Sequence, residues 1–341
     1  MMIIKKTRLC ELEKAYAIQL IELNGEEYCI VSSENRAGKT ALVNLKTGRV
    51  QRIDGLAGGV MCLVPDKGAS FFAIQKFYPV FQSEKAEIVR FTINLGDGEV
   101  LGTDVETVAR LPYVHRILTL GVGRDKVIVA GTLCAEKAFE QDWSQPGSVW
   151  LVPAEAGSEP SRLFTPIHKH HGMWRSGAGS SVLVSGQEGV YEVRRDGGAW
   201  QTERLLGGEV SDMCMFDLDG DGLDEMVTVE PFHGDRLAVY RNSGNAWLRI
   251  AEERVSFCHA IWAGEIDGSR CVVACNRGGE KDISLYTIES RDSGCGIRMK
   301  RHVVDTGAGA ANIVVSRAGG RTALYAANHG GDEAARYILE K

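Results

Sequence analysis

The chain has 341 residues, 44% of them hydrophobic and 25% charged, with 40 glycines, only 8 prolines and a formal net charge of -6. That balance gives no global basic field for nucleic acid or an anionic membrane. No apolar stretch approaches bilayer-spanning length and the amino-terminal MMIIKKTRLCELEK lacks a signal-peptide core, so a cytoplasmic protein is expected.

In chain order, the sequence reads as short β-rich runs with a period of roughly forty to fifty residues and no sustained helical periodicity. A spare strand, Met2 to Cys10, comes first. Seven units follow, beginning near Ala15, Gly59, Tyr113, His170, Glu209, Cys258 and Ala311. Each runs strand, turn, strand, polar loop, strand, turn and a more polar last strand such as Ala199 to Leu205 or Ile297 to Val304. Four strands per repeat means a propeller blade. The seventh unit, Ala311 to Lys341, has room for only three strands. If Ile3 to Leu9 supplies its outer strand, the ring closes without an orphan edge. The expected fold is all-β: one seven-bladed β-propeller domain over 1-341, with blades at 14-56, 57-111, 112-167, 168-207, 208-256, 257-308, and 309-341 plus 2-10.

The fifth unit contains FDLDGDGLDEMVTV, which places Asp217, Asp219, Asp221, Leu223 and Glu225 at positions 1, 3, 5, 7 and 9 of an acidic loop. Alternate carboxylates around glycines suit calcium, with a backbone carbonyl from Leu223. Position 12 is Thr228 rather than a bidentate Glu, and the flanks are apolar and β-prone, so the loop joins two strands. The plain reading is a polar hairpin turn without an ion. Degenerate copies at Trp262 to Cys275 and Leu20 to Ser33 read as metal-free relics.

Cysteines number nine, an odd count without a CxxC pair, and Cys29, Cys62, Cys214, Cys271 and Cys275 fall in apolar strand runs. Core packing of reduced thiols accounts for them, with a metal or disulfide role for Cys271 and Cys275 as the alternative. Of the eight histidines, only His302 lies in an outer strand; the rest fall at blade entries or second-strand ends, which in a propeller converge on one face of the channel. Alignment of the units puts His259 in register with Tyr16, Ser211 and His115, and approximately with His171 and Asn312. Second-strand loops add Lys76, Tyr78, His233, Arg277 and His329. Any one histidine is more simply a structural group, but converging imidazoles in a polar cavity suit a divalent metal or acid-base work. His168, His170 and His171 share one short stretch, so one of them is expected to point inward. Trp143 and Trp150, in a long insertion of the third unit, read as blade caps or as recognition aromatics.

FDLDGDGLDEMV, WAGEIDGSRCVVA and YAANHGGDEAARYIL together resemble the FG-GAP or VCBS-type β-propellers, which include integrin α-subunit propellers and carbohydrate-active lyases. The resemblance implies calcium at Asp217, Asp219, Asp221, Leu223 and Glu225. His259-Ala-Ile-Trp before the second acidic loop is similar to propellers of the aldos-2-ulose dehydratase type, and oligogalacturonate lyase is a more distant analogue. On that basis His115, His171 and His259 would hold a divalent transition metal or magnesium in the funnel. His233 or His329, with Tyr78 as substitute, would take a proton from a keto-sugar or uronate-type carbohydrate, and Arg277 or Lys76 would orient it, giving a β-eliminating lyase or dehydratase. The competing reading is a non-catalytic propeller binding a protein or glycan and stiffened by calcium, since no GxSxG, HExxH or phosphate loop is present.

Overall fold

A computed structural model describes residues 3–176, 180–291, 296–318 and 321–340, and is all-β apart from one short 3-10 turn at Gly123–Asp125. Its strands form seven four-stranded antiparallel sheets whose innermost strands pack side by side in a ring. These inner strands are Ala15–Leu23, Cys62–Pro65, Val114–Leu120, Met173–Ser176, Asp212–Phe216, Cys258–Ile266 and Ala310–Ala318. No described helix is long and apolar enough to cross a membrane.

The sequence accounts for the layering. Second strands are covered by a blade on either face and so read as continuous apolar runs, such as Phe71-Phe72-Ala73-Ile74, all fully buried. Outer strands face solvent, and Ala199–Gly207 is largely exposed. Two-residue first hairpins at Asn24-Gly25 and Asp267-Gly268 have positive φ at both residues, 53° and 78°, and 46° and 72°. Positive φ at both residues is the mark of the type I′ turn that follows the twist of paired strands, and these hairpins are the two degenerate copies of the acidic loop.

Ring closure follows the expected route. Ile3–Glu11 pairs antiparallel with Glu333–Glu340, from Ile3 opposite Glu340 to Glu11 opposite Glu333, and becomes the outermost strand of the seventh blade. Lys6 Nζ ties the join by ion pairs of 2.7 Å to both Asp305 and Glu333. All described cysteines are free thiols, and Cys271 and Cys275 are fully buried in the core of their blade.

Candidate functional site

One local device repeats at the blade entries. Lys14, Tyr113, Lys169 and Phe257 have left-handed backbone, with φ between 47° and 59°, as does Gly309 at 53°. Two residues after each lie Tyr16, His115, His171, His259 and Ala311. In four of these blades the pairing register skips that second residue, between Ala15 and Ala17, Val114 and Arg116, Cys258 and Ala260, and Ala310 and Asn312. A bulge leaves its extra residue unpaired and re-aims the side chain. Thus Tyr16, His115 and His259 leave their sheets and turn into the mouth of the channel. The seventh blade's bulge residue is Ala311; Asn312, the residue aligned by sequence, instead donates through Nδ2 to the Tyr16 carbonyl at 2.7 Å.

The fifth blade enters with Ser211, whose short side chain leaves room in the ring of entry residues. His233, with φ 49° in that blade's second loop, fills it and donates its backbone N–H to Ser211 Oγ at 3.1 Å. As a result the ligand-capable nitrogens of His171, His233 and His259 lie within 4.8 Å of one another. This trio differs by one member from the expected His115, His171 and His259, with His233 in the place of His115. His115 is a neighbour of the trio, its ring centroid 4.8 Å from that of His171, and its Nε2 faces the Tyr16 hydroxyl at 3.4 Å.

Hydrogen bonds fix one tautomer. His259 Nδ1–H donates to the Ala311 carbonyl at 2.7 Å, so its Nε2 carries the lone pair, with the Tyr16 hydroxyl 3.3 Å away. Both ring nitrogens of His171, His233 Nε2 and His115 Nδ1 are buried without a hydrogen-bond partner. Burial, reinforced by neighbouring imidazoles and the Arg116 and Arg277 cations, holds His115, His171 and His259 well below the ordinary histidine range, and His233 at about 3. All four are therefore neutral near pH 7, the form that ligates metals. Arg116 also braces the backbone, donating to the carbonyls of His171 at 3.0 Å and Met61 at 3.2 Å.

The three clustered histidines of the fourth entry separate cleanly. His171 points inward, His168 pairs with Glu188, and His170 turns into the third blade with both nitrogens unpartnered. The His170 ring lies against Gly131, where a Cβ would meet its atoms at 2.3 Å, so only glycine fits there.

Above the trio is a cavity of 240 Å3 with two unlike walls. Met61, Phe77, Val80, Phe81 and Phe257 form the apolar one; Tyr16, Glu34, His115, His233, His259 and Arg277 form the polar one. His329 stands behind the polar wall. Its Nε2–H donates to Glu34 Oε2 at 2.7 Å and its Nδ1 accepts from Arg277 Nη2 at 3.0 Å, so both ring nitrogens are engaged by those two groups. Lys76 and Tyr78 also stand outside the lining. The Lys76 ammonium pairs with the buried carboxylate of Glu87 at 2.6 Å, and Tyr78 lies beneath the Arg36 guanidinium, 5.3 Å from its ring centroid.

The acidic loop occupies the first hairpin of the fifth blade, between Asp212–Phe216 and Glu225–Glu230, at the end of these strands opposite His233. Asp217, Asp219 and Glu225 bring carboxylate oxygens within 4.8 Å of one another. Asp221 is exposed and accepts from the Leu223 N–H at 2.9 Å, while the Leu223 side chain is 63% exposed. Arg241 pairs with both Asp219 and Glu225, and Arg270 of the next blade lies 3.6 Å from Asp217. Two guanidinium groups thus offset much of the mutual repulsion of these carboxylates.

No family model and no curated protein matches the chain. Solved structures similar to it include the β-propeller domain of Cps50 (Swd1) from Myceliophteria thermophila, at 14% identity and a TM-score of 0.59 over 98% of this chain and 99% of that one. A chain of a mitotic checkpoint complex is similar at 12% identity and a TM-score of 0.60 over 98% of this chain and 92% of that one. Such likeness concerns the fold: a β-propeller spanning the whole sequence.

Proposed function

We propose that the channel mouth is a three-imidazole centre for a divalent transition metal, at which a small hydroxylated carbonyl compound of the sugar class loses water or a substituent by β-elimination. The observation that carries this reading is the convergence of His171, His233 and His259, with both ring nitrogens of His171 and Nε2 of His233 buried without a hydrogen-bond partner and the Nε2 lone pair of His259 beside them. Buried polar atoms are nearly always satisfied, and three neutral imidazoles with an adjoining cavity match an open three-ligand metal site. Magnesium, which prefers oxygen donors, fits this donor set poorly.

A bound ion would act as a Lewis acid on a substrate carbonyl. The protein's own groups supply the rest. His115, in the polar wall with Nδ1 unpartnered, accepts the proton from the carbon beside the carbonyl. As that C–H electron pair becomes the new C=C bond, the neighbouring C–O bond breaks and the oxygen departs with its electron pair. Tyr16, whose hydroxyl burial pushes up to about 12, stays protonated and donates to that oxygen. Of the Arg277 guanidinium donors, only Nη2 has a hydrogen-bond partner among the described residues, which leaves the others for substrate oxygens.

Elemental analysis of protein purified without added metal tests the centre. About one transition-metal ion per chain is expected in the wild type, with affinity reduced by well over about tenfold in His171→Ala, His233→Ala and His259→Ala. His115→Ala should keep its metal and lose turnover. Full metal in folded His233→Ala protein would overturn this ligand set.

A non-catalytic platform for a protein or glycan is the second reading. It is favoured by the similarity to a chain in a mitotic checkpoint complex and by Val80 and Phe257, 39% and 38% exposed at the cavity mouth. Wild-type protein devoid of transition metal would decide for it. At the acidic loop, Arg241 already holds the place of a cation between Asp219 and Glu225, so calcium must displace it. Calorimetric titration is expected to show calcium binding in the weak range of about 10⁻⁴–10⁻³ M, tightened in Arg241→Ala.

A further inference from the structure

Residues 133–146 form an excursion of the third blade on a narrow neck. Cys134 bridges to Pro146, and the Ala135 N–H donates to the Gln145 carbonyl at 3.3 Å. Beyond the neck, Asp142 braces the loop internally, accepting from the backbone N–H groups of Ala138 at 3.1 Å and Ser144 at 3.0 Å. The residue so presented is Trp143. Its ring meets Phe81 of the second blade and Phe232 of the fifth edge-on, at 5.8 Å each, and Phe81 and Phe232 lie 6.2 Å apart. The Lys137 ammonium sits 3.2 Å from the centroid of the same indole.

Phe232 carries the contact inward. It stacks on His233 at 4.0 Å and 27°, and meets His171 edge-on at 5.7 Å. Loops from three blades therefore interlock over two of the three converging imidazoles. Neither His171 nor His233 is fixed by a hydrogen bond from its unpartnered ring nitrogens, so ring contacts are what hold their orientation.

We infer that residues 133–146 are a closing arm for the histidine cavity, with Trp143 as its bolt and Phe232 as the positioning residue that aligns the His171 and His233 rings. The inference rests on the proposed metal centre only for what the aligned rings bind. An aromatic edge contact is modest, so two such contacts on a narrow neck make a closure that opens locally without unfolding the blades.

The test uses the full-length, metal-free protein and follows reaction of each histidine with diethyl pyrocarbonate by mass spectrometry. In wild type, His171 and His233 should react slowly relative to His302 on its outer strand. Trp143→Ala is expected to raise their rates by about tenfold without changing that of His302, and Trp143→Phe to restore most of the protection. Phe139→Ala, at an exposed position of the same arm, should leave all rates unchanged. If Trp143→Ala lowers the unfolding midpoint, Trp143→Leu keeps apolar volume and serves instead. Unchanged protection of His171 and His233 in folded Trp143→Ala or Trp143→Leu protein would overturn the closing arm. A wild type that binds no metal would sink the metal centre while leaving this comparison intact.

Discussion

Protein lacking Ile3–Glu11 is expected not to reach a stable folded state. The strand is the outermost of the seventh blade yet contributes to two cores: Ile4 packs with Leu324, Tyr337 and Leu339, and Leu9 and Cys10 pack with Tyr325 and Ala334. Its loss strips the ladder along Glu333–Glu340 and leaves Asp305 and Glu333 without Lys6. Apolar burial of this size plus the ladder amounts to on the order of 5–10 kcal/mol, comparable to the whole stability of a domain. The exposed edge would also template association with other chains. Urea unfolding of the truncated chain, with and without a synthetic peptide of residues 1–12, checks this. A cooperative transition at the wild-type midpoint without peptide would refute it, whereas rescue by peptide is the expected outcome.

Metal-free protein is expected to lose stability steeply as pH falls below about 6.5. His170 and His233 are held at about 3 in the folded chain, chiefly by burial, and His115, His171 and His259 are lowered for the same first reason. The unfolded chain takes up these protons near about 6.5 and the native one does not, so between those values the unfolded state binds more protons and stability rises with pH. The contribution is complete above about 6.5 and is lost as pH falls toward about 3. At about pH 5 each such histidine costs about 2 kcal/mol, so His170 and His233 together remove about 4 kcal/mol. Urea midpoints measured from about pH 8 down to about pH 4 read this directly. His170→Leu, which removes a ring with no hydrogen-bond partner, should flatten the profile by about one proton's worth. A midpoint constant between about pH 7 and pH 5 would show the imidazoles to be solvated.

Much of the site was legible because a repeat is legible. Short apolar β-rich runs and turns repeating at blade-like spacing indicate seven four-stranded units, and the short last unit with a spare first strand implies the closure seen at Ile3–Glu11. The alignment that put Tyr16, His115 and His259 in one register follows from the same repetition, since a shared bulge occurs at the same point of each of those blades. Positive-φ entry residues such as Lys14, Tyr113 and Phe257 carried no sequence signal, because non-glycine residues in that conformation look like any others. The acidic loop at Asp217 was visible as carboxylate spacing, but Arg241 and Arg270 come from another strand and another blade and were invisible beside it.

Local sequence by itself determined the element types, the count of blades, the closing strand and the face on which the histidines gather, because each depends on periodicity along the chain. Only the tertiary structure decided which side chains meet. Ser211 is small, so His233 from a different loop enters the ring in its place. Lys76 is drawn away by Glu87, His329 is held behind Glu34 and Arg277, and Trp143 reaches across the channel to Phe232. Those outcomes depend on volume and charge compensation between blades, which no one-dimensional pattern encodes.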